Sequence, residues 1–225
     1  MSSSIKPIVV HGRIGPNPPK VYMLMNELGL PHTTTPHDFT TIKQEPYITE
    51  INPNGRMPAI VDPNTDLTLW ESGAILQYLV ETYDKDHKVS FPAGSNEAHL
   101  ARQWLFFQTT GQGPYYGQFV WFTRYHKPEV PTAVERYAKE INRVTAVLET
   151  HLSKQAEDGD GNRWLVGGRF SYADLAFVPW QYFAGRLAKD YYKIDDYPHV
   201  KKWMDALIAR PAINKVVEED MNSGR

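Results

Sequence analysis

Two adjacent residues in the first third of the chain could hold a small ligand that carries both charges of an amino acid. Ser72 lies where a helix is predicted to begin, so its hydroxyl and the free N–H groups of the first turn could bind a carboxylate. Glu71, one position earlier, could accept hydrogen bonds from an ammonium group. The alternative is structural, with Ser72 capping its helix and Glu71 interacting favourably with the helix dipole.

The dipeptide Met57-Pro58 offers a second binding element. A proline at the start of a strand loses no ladder hydrogen bond, and the turn leaves the N–H and C=O groups of Met57 able to pair with an extended peptide. On its own the dipeptide is better explained as an ordinary edge-strand proline. Because Glu71-Ser72 follows downstream, we favour a ligand site.

The composition excludes several kinds of chemistry. The 225 residues include no cysteine, which removes disulfides, thiolate metal sites and a cysteine nucleophile, so any thiol must arrive with a ligand. The 24 basic and 26 acidic residues give a net charge of −2, which argues against a nucleic-acid binder. The eight histidines lack metal-ligand spacing and no phosphate-binding glycine motif occurs, so we expect no metal and no nucleotide cofactor. The polar residues 1–7 and the lack of a long apolar run predict a cytoplasmic protein without a membrane span.

The first 88 residues alternate strand and helix signals. Ile8 to His11 is a β-branched run typical of a buried strand. The helix predicted from Pro18 to Leu28 follows Asn17, a good N-cap, and ends before Gly29. Further elements are predicted as a helix over 46–51, a hairpin of strands over 58–62 and 66–70, and a helix over 72–83. This order favours a split βαβ unit.

Strand signals nearly vanish beyond a polar linker around residues 84–95. Helices are predicted over residues 98–108, 131–153, 200–209 and 211–219, and Ser171 to Asp174 has the form of a capping box. We therefore predict an α+β protein with a first domain over residues 1–88 and an all-helical second domain over residues 95–225.

Four segments, in order along the chain, resemble motifs of the cytosolic glutathione transferases. They are residues 56–62 and 70–75 for the glutathione site, 170–174 for the capping box, and 203–211 for the C-terminal signature. Residues 52–56, 108–118 and 135–137 resemble most the fungal subgroup similar to the yeast nitrogen catabolite regulator, and the related bacterial Nu-class. The resemblance implies a thioredoxin-like N-terminal domain, an all-α C-terminal domain, a cis Met57–Pro58 bond and a homodimer.

The resemblance also implies that glutathione is bound as a substrate, with no separate cofactor. Its binding residues would be Lys43, Gln44, Arg56, Met57, Pro58, Glu71, Ser72 and Arg136. Lys43 and Gln44 would reach the glycine carboxylate, although a solvated loop explains them equally well. Arg136 would direct its guanidinium to a ligand carboxylate, or would form an ion pair with a helix neighbour.

Asn17 is the candidate catalytic residue. A glutathione sulfur at the start of the helix would lie at the positive end of its dipole, and the Asn17 amide could donate to the thiolate, which lowers a thiol pKa from about 8.5. The alternative is a plain N-cap. Two features weaken the catalytic role, because Pro18 and Pro19 remove two backbone donors and Gly15 replaces a hydroxyl residue frequent in the family.

An aromatic face would complete the site. Tyr115, Phe119 and Phe122 recur at i, i+4 and i+7 and would contact a hydrophobic substrate, the alternative being an interdomain or dimer core. These assignments predict a detoxifying glutathione transferase that attacks a hydrophobic electrophile. The alternatives are a glutathione-dependent disulfide reductase and a largely non-catalytic ligand-binding protein. Neither nucleic acid nor a membrane is an expected partner.

Overall fold

A computed structural model describes residues 5–221, so the polar segment at residues 1–4 and the last residues of the predicted second domain lie outside the described part. Contacts divide the chain into two compact units. The first holds residues 5–90 together with 210–221, and the second holds residues 91–209. Within residues 5–221, no helix is both long and apolar enough to span a membrane.

A four-stranded sheet forms the centre of the first unit. Its strands are β1 (Ile8–His11), β2 (His32–Thr35), β3 (Ala59–Asp62) and β4 (Leu67–Trp70), in the spatial order β2-β1-β3-β4. β1 pairs with β2 in parallel and with β3 antiparallel, and β3 pairs antiparallel with β4. The parallel pair is joined by helix α1 (Pro18–Leu28), as a crossover connection requires. This arrangement confirms the predicted α+β class.

Helix α1 has the predicted bounds, and Gly29 closes it with the left-handed φ of 65° expected of a C′ glycine. Helix α2 (Ser72–Tyr83) also has the predicted bounds. Asp62 ties α2 to the hairpin that precedes it. Its buried carboxylate accepts hydrogen bonds from the hydroxyl groups of Tyr78 at 2.7 Å and Tyr83 at 2.5 Å. Burial opposes ionisation of Asp62, but these bonds hold its pKa below the usual value.

The C-terminal residues belong with the first unit. Helix Pro211–Val216 packs against α1, and the guanidinium of Arg210 forms a fork with the carboxylate of Glu27, with N–O distances of 2.7 and 2.9 Å. This grouping differs from the prediction, which places residues 210–221 in the helical domain over residues 95–225. Helical periodicity in residues 211–219 indicates a helix but does not specify which unit it packs against.

The second unit is helical in its described residues. Its helices are α3 (Asn96–Phe107), α4 (Gly113–Val120), α5 (Pro131–Leu152), α6 (Tyr172–Leu187) and α7 (Pro198–Ile208). The helix Pro211–Val216 of the first unit is α8. The capping box at Ser171 and Asp174 is present as predicted. Asp174 also accepts the indole N–H of Trp203 at 3.0 Å, so two motifs noted separately in the sequence meet in one core.

Candidate functional site

Sheet register brings the two binding motifs of the first unit together. The antiparallel pairing of Ala59 with Trp70 ends the ladder between β3 and β4, so Pro58 and Glu71 lie just beyond it at the same end of the sheet. The Met57–Pro58 peptide bond is cis, as the resemblance implies. The ladder between β1 and β3 ends at the pair His11–Ala59, so the backbone of Met57 lies beyond it. An extended ligand could therefore pair with Met57 beside Glu71.

Glu71 has an unusual backbone conformation. Its φ of 71° and ψ of 112° place a non-glycine residue outside the common regions, which costs about 1–3 kcal/mol and requires support from the surrounding structure. Glu71 occupies the N-cap position of α2 without a side-chain cap bond, and Ser72 is the first helical residue, 9% exposed. The structural alternative, in which Ser72 caps the helix, therefore does not match the structure.

The loop before Met57 is fixed by hydrogen bonds to one carbonyl. The Arg56 carbonyl accepts the Tyr47 hydroxyl at 2.6 Å and the Asn52 amide at 2.9 Å, while the Arg56 side chain is exposed. The side chain of Met57 is buried in a small core with Ile42 and Tyr47. The backbone at Arg56 and Met57 is thus fixed by packing and hydrogen bonds.

Lys43 is brought to the same loop by a close approach at Gly55. A Cβ atom at Gly55 would lie 2.7 Å from the Ile42 carbonyl oxygen and 3.3 Å from Lys43 Nζ, and its φ of 57° also favours glycine. Gln44 follows the 3₁₀ turn Thr41–Lys43 and is exposed. Of the two residues predicted to bind the glycine carboxylate, Lys43 therefore borders the segment that leads to Met57.

Asn17 precedes α1 in a helical conformation, with φ of −88° and ψ of −40°, and makes no side-chain cap bond. This corrects the expectation of an ordinary N-cap. An N-cap side chain bonds the N–H of the second or third helical residue, and Pro19 at the second position has none. Asn17 is half-buried at the start of the helix, which is where the thiol is predicted to lie.

Lys20 was not among the predicted site residues, although it lies in the first turn of α1. It is 1% exposed, and burial lowers its pKa from 10.5 to about 7, against the opposing attraction of Glu71. Helical spacing could have identified this position, because Lys20 directly precedes Val21 and lies four residues before Leu24, both of them core residues.

Two further contacts surround the β1–α1 turn. Arg13 forms ion pairs with Asp220 at 2.5 Å and Glu219 at 2.8 Å, which attaches the C-terminal turn to this loop. His11 and His37 share a hydrogen bond of 3.1 Å between ring nitrogens, and burial together with the charge of His37 lowers the pKa of His11. These pairs are separated by 207 and 26 residues in sequence, so no local pattern indicates them.

The remaining candidates belong to the second unit. Phe119 is 1% exposed in the hydrophobic core of this unit, which corrects the prediction that it contacts substrate. Its neighbours in that core all belong to the same unit, so the core is neither interdomain nor a dimer contact. Tyr115 is half-buried, and Phe122 stacks on Tyr137 with ring centroids 5.7 Å apart. Arg136 is exposed on α5, and the described residues show no ion pair for it.

Pro58 precedes the inner strand β3, so it is not an ordinary edge-strand proline. A sheet domain with a cis proline at the start of an inner strand, followed by a helical unit with a capping box, defines a class of protein. The family model for the glutathione S-transferase N-terminal domain matches residues 14–82, and the model for the C-terminal domain matches residues 114–211. The chain therefore belongs to the glutathione S-transferase family.

Fungal proteins show the more specific similarity. The glutathione S-transferase-like protein tpcF of Aspergillus fumigatus is 59% identical over 215 residues, covering 94% of this chain and 95% of that protein. The glutathione transferase URE2P6 of Phanerochaete chrysosporium, solved with oxidised glutathione, superposes with a TM-score of 0.87 at 44% identity, over 98% of this chain and 99% of that chain. Ure2p5 of the same fungus, cocrystallised with 1-(S-glutathionyl)-2,4-dinitrobenzene, gives a TM-score of 0.84 at 40% identity, over 97% and 96% of the two chains. The predicted resemblance to this fungal subgroup is thus confirmed.

Proposed function

We propose that the protein is an enzyme that binds reduced glutathione in its first unit and transfers the thiolate to a hydrophobic electrophile. The observation that carries this proposal is the adjacency of Met57-Pro58 and Glu71-Ser72 at one end of the sheet, just beyond the pair Ala59–Trp70. A backbone able to pair with a peptide, next to a carboxylate and a helix start, matches a γ-glutamyl tripeptide.

In this proposal the ligand lies across this end of the sheet in an extended conformation. Glu71 accepts from its ammonium group, Ser72 and the first turn of α2 hold the γ-glutamyl carboxylate, and Met57 pairs with the central residue. Lys43 and Gln44 contact the glycine carboxylate, and Arg56 adds positive charge beside the same loop. Arg136 in the second unit is proposed to contact a ligand carboxylate, as the resemblance implies.

Asn17 is proposed to stabilise the thiolate. The sulfur lies at the start of α1, where the helix dipole and the side-chain amide of Asn17 lower the thiol pKa. The thiolate attacks the electrophilic carbon, a C–S bond forms, the leaving group departs with its electron pair, and the thiol proton goes to solvent. Tyr115 and Phe122 remain the proposed contacts of the hydrophobic substrate in the second unit.

Glutathione-dependent disulfide reduction is a second candidate, favoured by the oxidised glutathione bound in URE2P6. The glutathione thiolate would attack one sulfur of the disulfide and release the other as a thiol. A second glutathione would then resolve the mixed disulfide, so that two glutathiones are oxidised for each disulfide reduced. This reaction needs no cysteine in the protein.

Thermal unfolding with and without glutathione tests the binding site. A ligand at about 100 times its dissociation constant adds about 2.7 kcal/mol to the free energy of unfolding, and Glu71→Gln should reduce this gain. Glu50→Gln, at an exposed position of the same unit, is the matched control. No stabilisation of the wild type by millimolar glutathione would refute the site.

Turnover of Asn17→Ala tests the activation role. We expect a fall in kcat for conjugation, and thermal unfolding of the variant measures any accompanying loss of stability. Full turnover in a folded Asn17→Ala variant would exclude Asn17 as the activating residue. Glutathione binding without turnover of either electrophiles or disulfides would instead indicate a ligand-binding protein.

A further inference from the structure

Phe39 is an exposed aromatic residue on the loop between β2 and the 3₁₀ turn Thr41–Lys43. Its side chain is 61% exposed, although burying a phenylalanine is usually favourable by about 1.5–3 kcal/mol. An isolated exposed apolar residue is common and needs no explanation by itself. The neighbouring residues of the loop, however, hold Phe39 in this outward position.

Residues on both sides of Phe39 are anchored. The Asp38 carboxylate accepts the backbone N–H groups of Thr40 at 2.8 Å and Thr41 at 2.7 Å, and these bonds hold the pKa of Asp38 below its usual value. Further along, Ile42 is buried in the small core with Met57. With a capped turn and a core residue fixing the loop, Phe39 faces away from the unit's interior.

The ring of Phe39 lies at the turn that leads into α1. Its Cζ atom would be 3.8 Å from a Cβ atom at Gly15, which is ordinary van der Waals contact. Gly15 has a φ of 91°, a conformation that other residues rarely adopt, so no side chain of its own covers the ring there. Asn17, the proposed thiolate donor, follows two residues later. One face of the loop therefore presents an aromatic ring next to the proposed position of the sulfur.

We propose that Phe39 determines specificity for electrophiles that carry an electron-poor aromatic ring, by contacting that ring while the thiolate attacks it. The inference rests on the proposed function and gives the first unit a contact of its own for the electrophile. For an aryl chloride, the glutathione thiolate forms a C–S bond at the carbon that carries chlorine. Chloride leaves with the C–Cl electron pair, and the thiol proton goes to solvent. A small aliphatic electrophile has no ring for Phe39 to contact.

Steady-state kinetics with two electrophiles tests the proposal. For Phe39→Ala, kcat/KM with 1-chloro-2,4-dinitrobenzene should fall about three- to tenfold, which is the range expected for the loss of one aromatic contact. With iodoacetamide, kcat/KM should change less than about twofold. Phe39→Tyr should retain the wild-type ratio. Phe106→Ala is the matched control, because Phe106 is 58% exposed on α3 and should change neither rate. An equal loss with both electrophiles, or no loss, overturns the proposal.

Equilibrium binding separates this inference from the proposed function. The Kd of S-(2,4-dinitrophenyl)glutathione should rise about three- to tenfold in Phe39→Ala, while the Kd of S-methylglutathione stays the same. If the wild type turns over neither electrophile, transfer is refuted and these two Kd values decide the role of Phe39. If Phe39→Ala binds both conjugates with the affinity of the wild type, the proposed role of Phe39 is overturned. A wild type that binds neither conjugate refutes both proposals together.

Discussion

Burial of Lys20 predicts that the protein becomes more stable as the pH rises above neutrality. In the native state burial lowers the pKa of Lys20 to about 7, against 10.5 for a solvated lysine. Between these two values the unfolded chain binds more protons than the folded chain, so the free energy of unfolding increases with pH. The location adds to the cost of the charge, since a cation in the first turn of a helix is disfavoured by the dipole.

The size of the effect follows from the two pKa values of Lys20. At 1.36 kcal/mol per pKa unit, the gap between 10.5 and about 7 gives an upper limit of about 5 kcal/mol. Between pH 7 and pH 9 the expected gain is about 2 kcal/mol, which corresponds to an increase in Tm of about 4–8 °C for a chain of this length.

Other shifted groups act outside that pH window. Burial raises the pKa of Asp174 to about 6, so stability from that group falls as pH rises from 3.8 to 6 and is constant above 7. Burial lowers the pKa of His11, which reduces stability below about pH 6.5. Burial raises the pKa of Tyr116 and Tyr192, which reduces stability above about pH 10. The interval from pH 7 to pH 9 therefore reports Lys20.

Thermal unfolding followed by circular dichroism at pH 7, 8 and 9, at constant ionic strength, measures this slope. Lys20→Met keeps the length of the side chain without its charge, so its Tm should be higher than wild type at pH 7 and independent of pH. Lys6→Met, at an exposed position, should retain the wild-type slope. The reasoning fails if wild type shows no slope, or if Lys20→Met shows the same slope as wild type.

Three further predictions concern the backbone, the ion pairs and assembly. In urea denaturation, Gly55→Ala should lower the free energy of unfolding by at least about 1 kcal/mol more than Gly29→Ala. Both glycines have positive φ, but only a Cβ atom at Gly55 would lie 2.7 Å from a backbone oxygen. Equal losses would contradict this. Arg13→Gln should lower the free energy of unfolding by about 1 kcal/mol, and a double-mutant cycle with Asp220→Asn should show coupling between the two positions. Additive effects would mean that the ion pair contributes nothing to stability. Light scattering at micromolar concentration should give about twice the chain mass of 25.8 kDa, and a single species at that chain mass would refute the homodimer.

Local signals in the sequence account for most of the fold. The bounds of α1 and α2 could be predicted because caps, glycine positions and apolar spacing all act within a few residues. The edge hairpin follows from a proline at a strand start and a turn between two short strands. By contrast, the pairing of His11 with His37 and of Arg13 with Asp220 depends on tertiary structure, and no local pattern encodes it.

The error at Phe119 has a specific cause. A spacing of i, i+4 and i+7 identifies one face of a helix but not whether that face contacts the core or a ligand. On α4 the buried residues Tyr116 and Phe119 form core, while Tyr115 is half-buried on another side. At Lys20 the spacing correctly indicates a core position, but a charged residue type is not expected there, so the residue type misleads where the spacing does not.

Departures from local sequence rules concentrate in one region of the first unit. Glu71 has a positive φ without being glycine, Lys20 is a buried cation, Phe39 is an exposed ring, and Asn17 occupies a cap position without a side-chain cap bond. The positive φ of Glu71 and the burial of Lys20 each cost stability, and a fold selected for stability alone would remove them by single substitutions. The electrostatic attraction between Lys20 and Glu71 and the closeness of the Phe39 ring to Gly15 place them near the end of the sheet where the tripeptide is proposed to bind. Their clustering therefore supports a ligand-binding role for this end of the sheet independently of the sequence motifs.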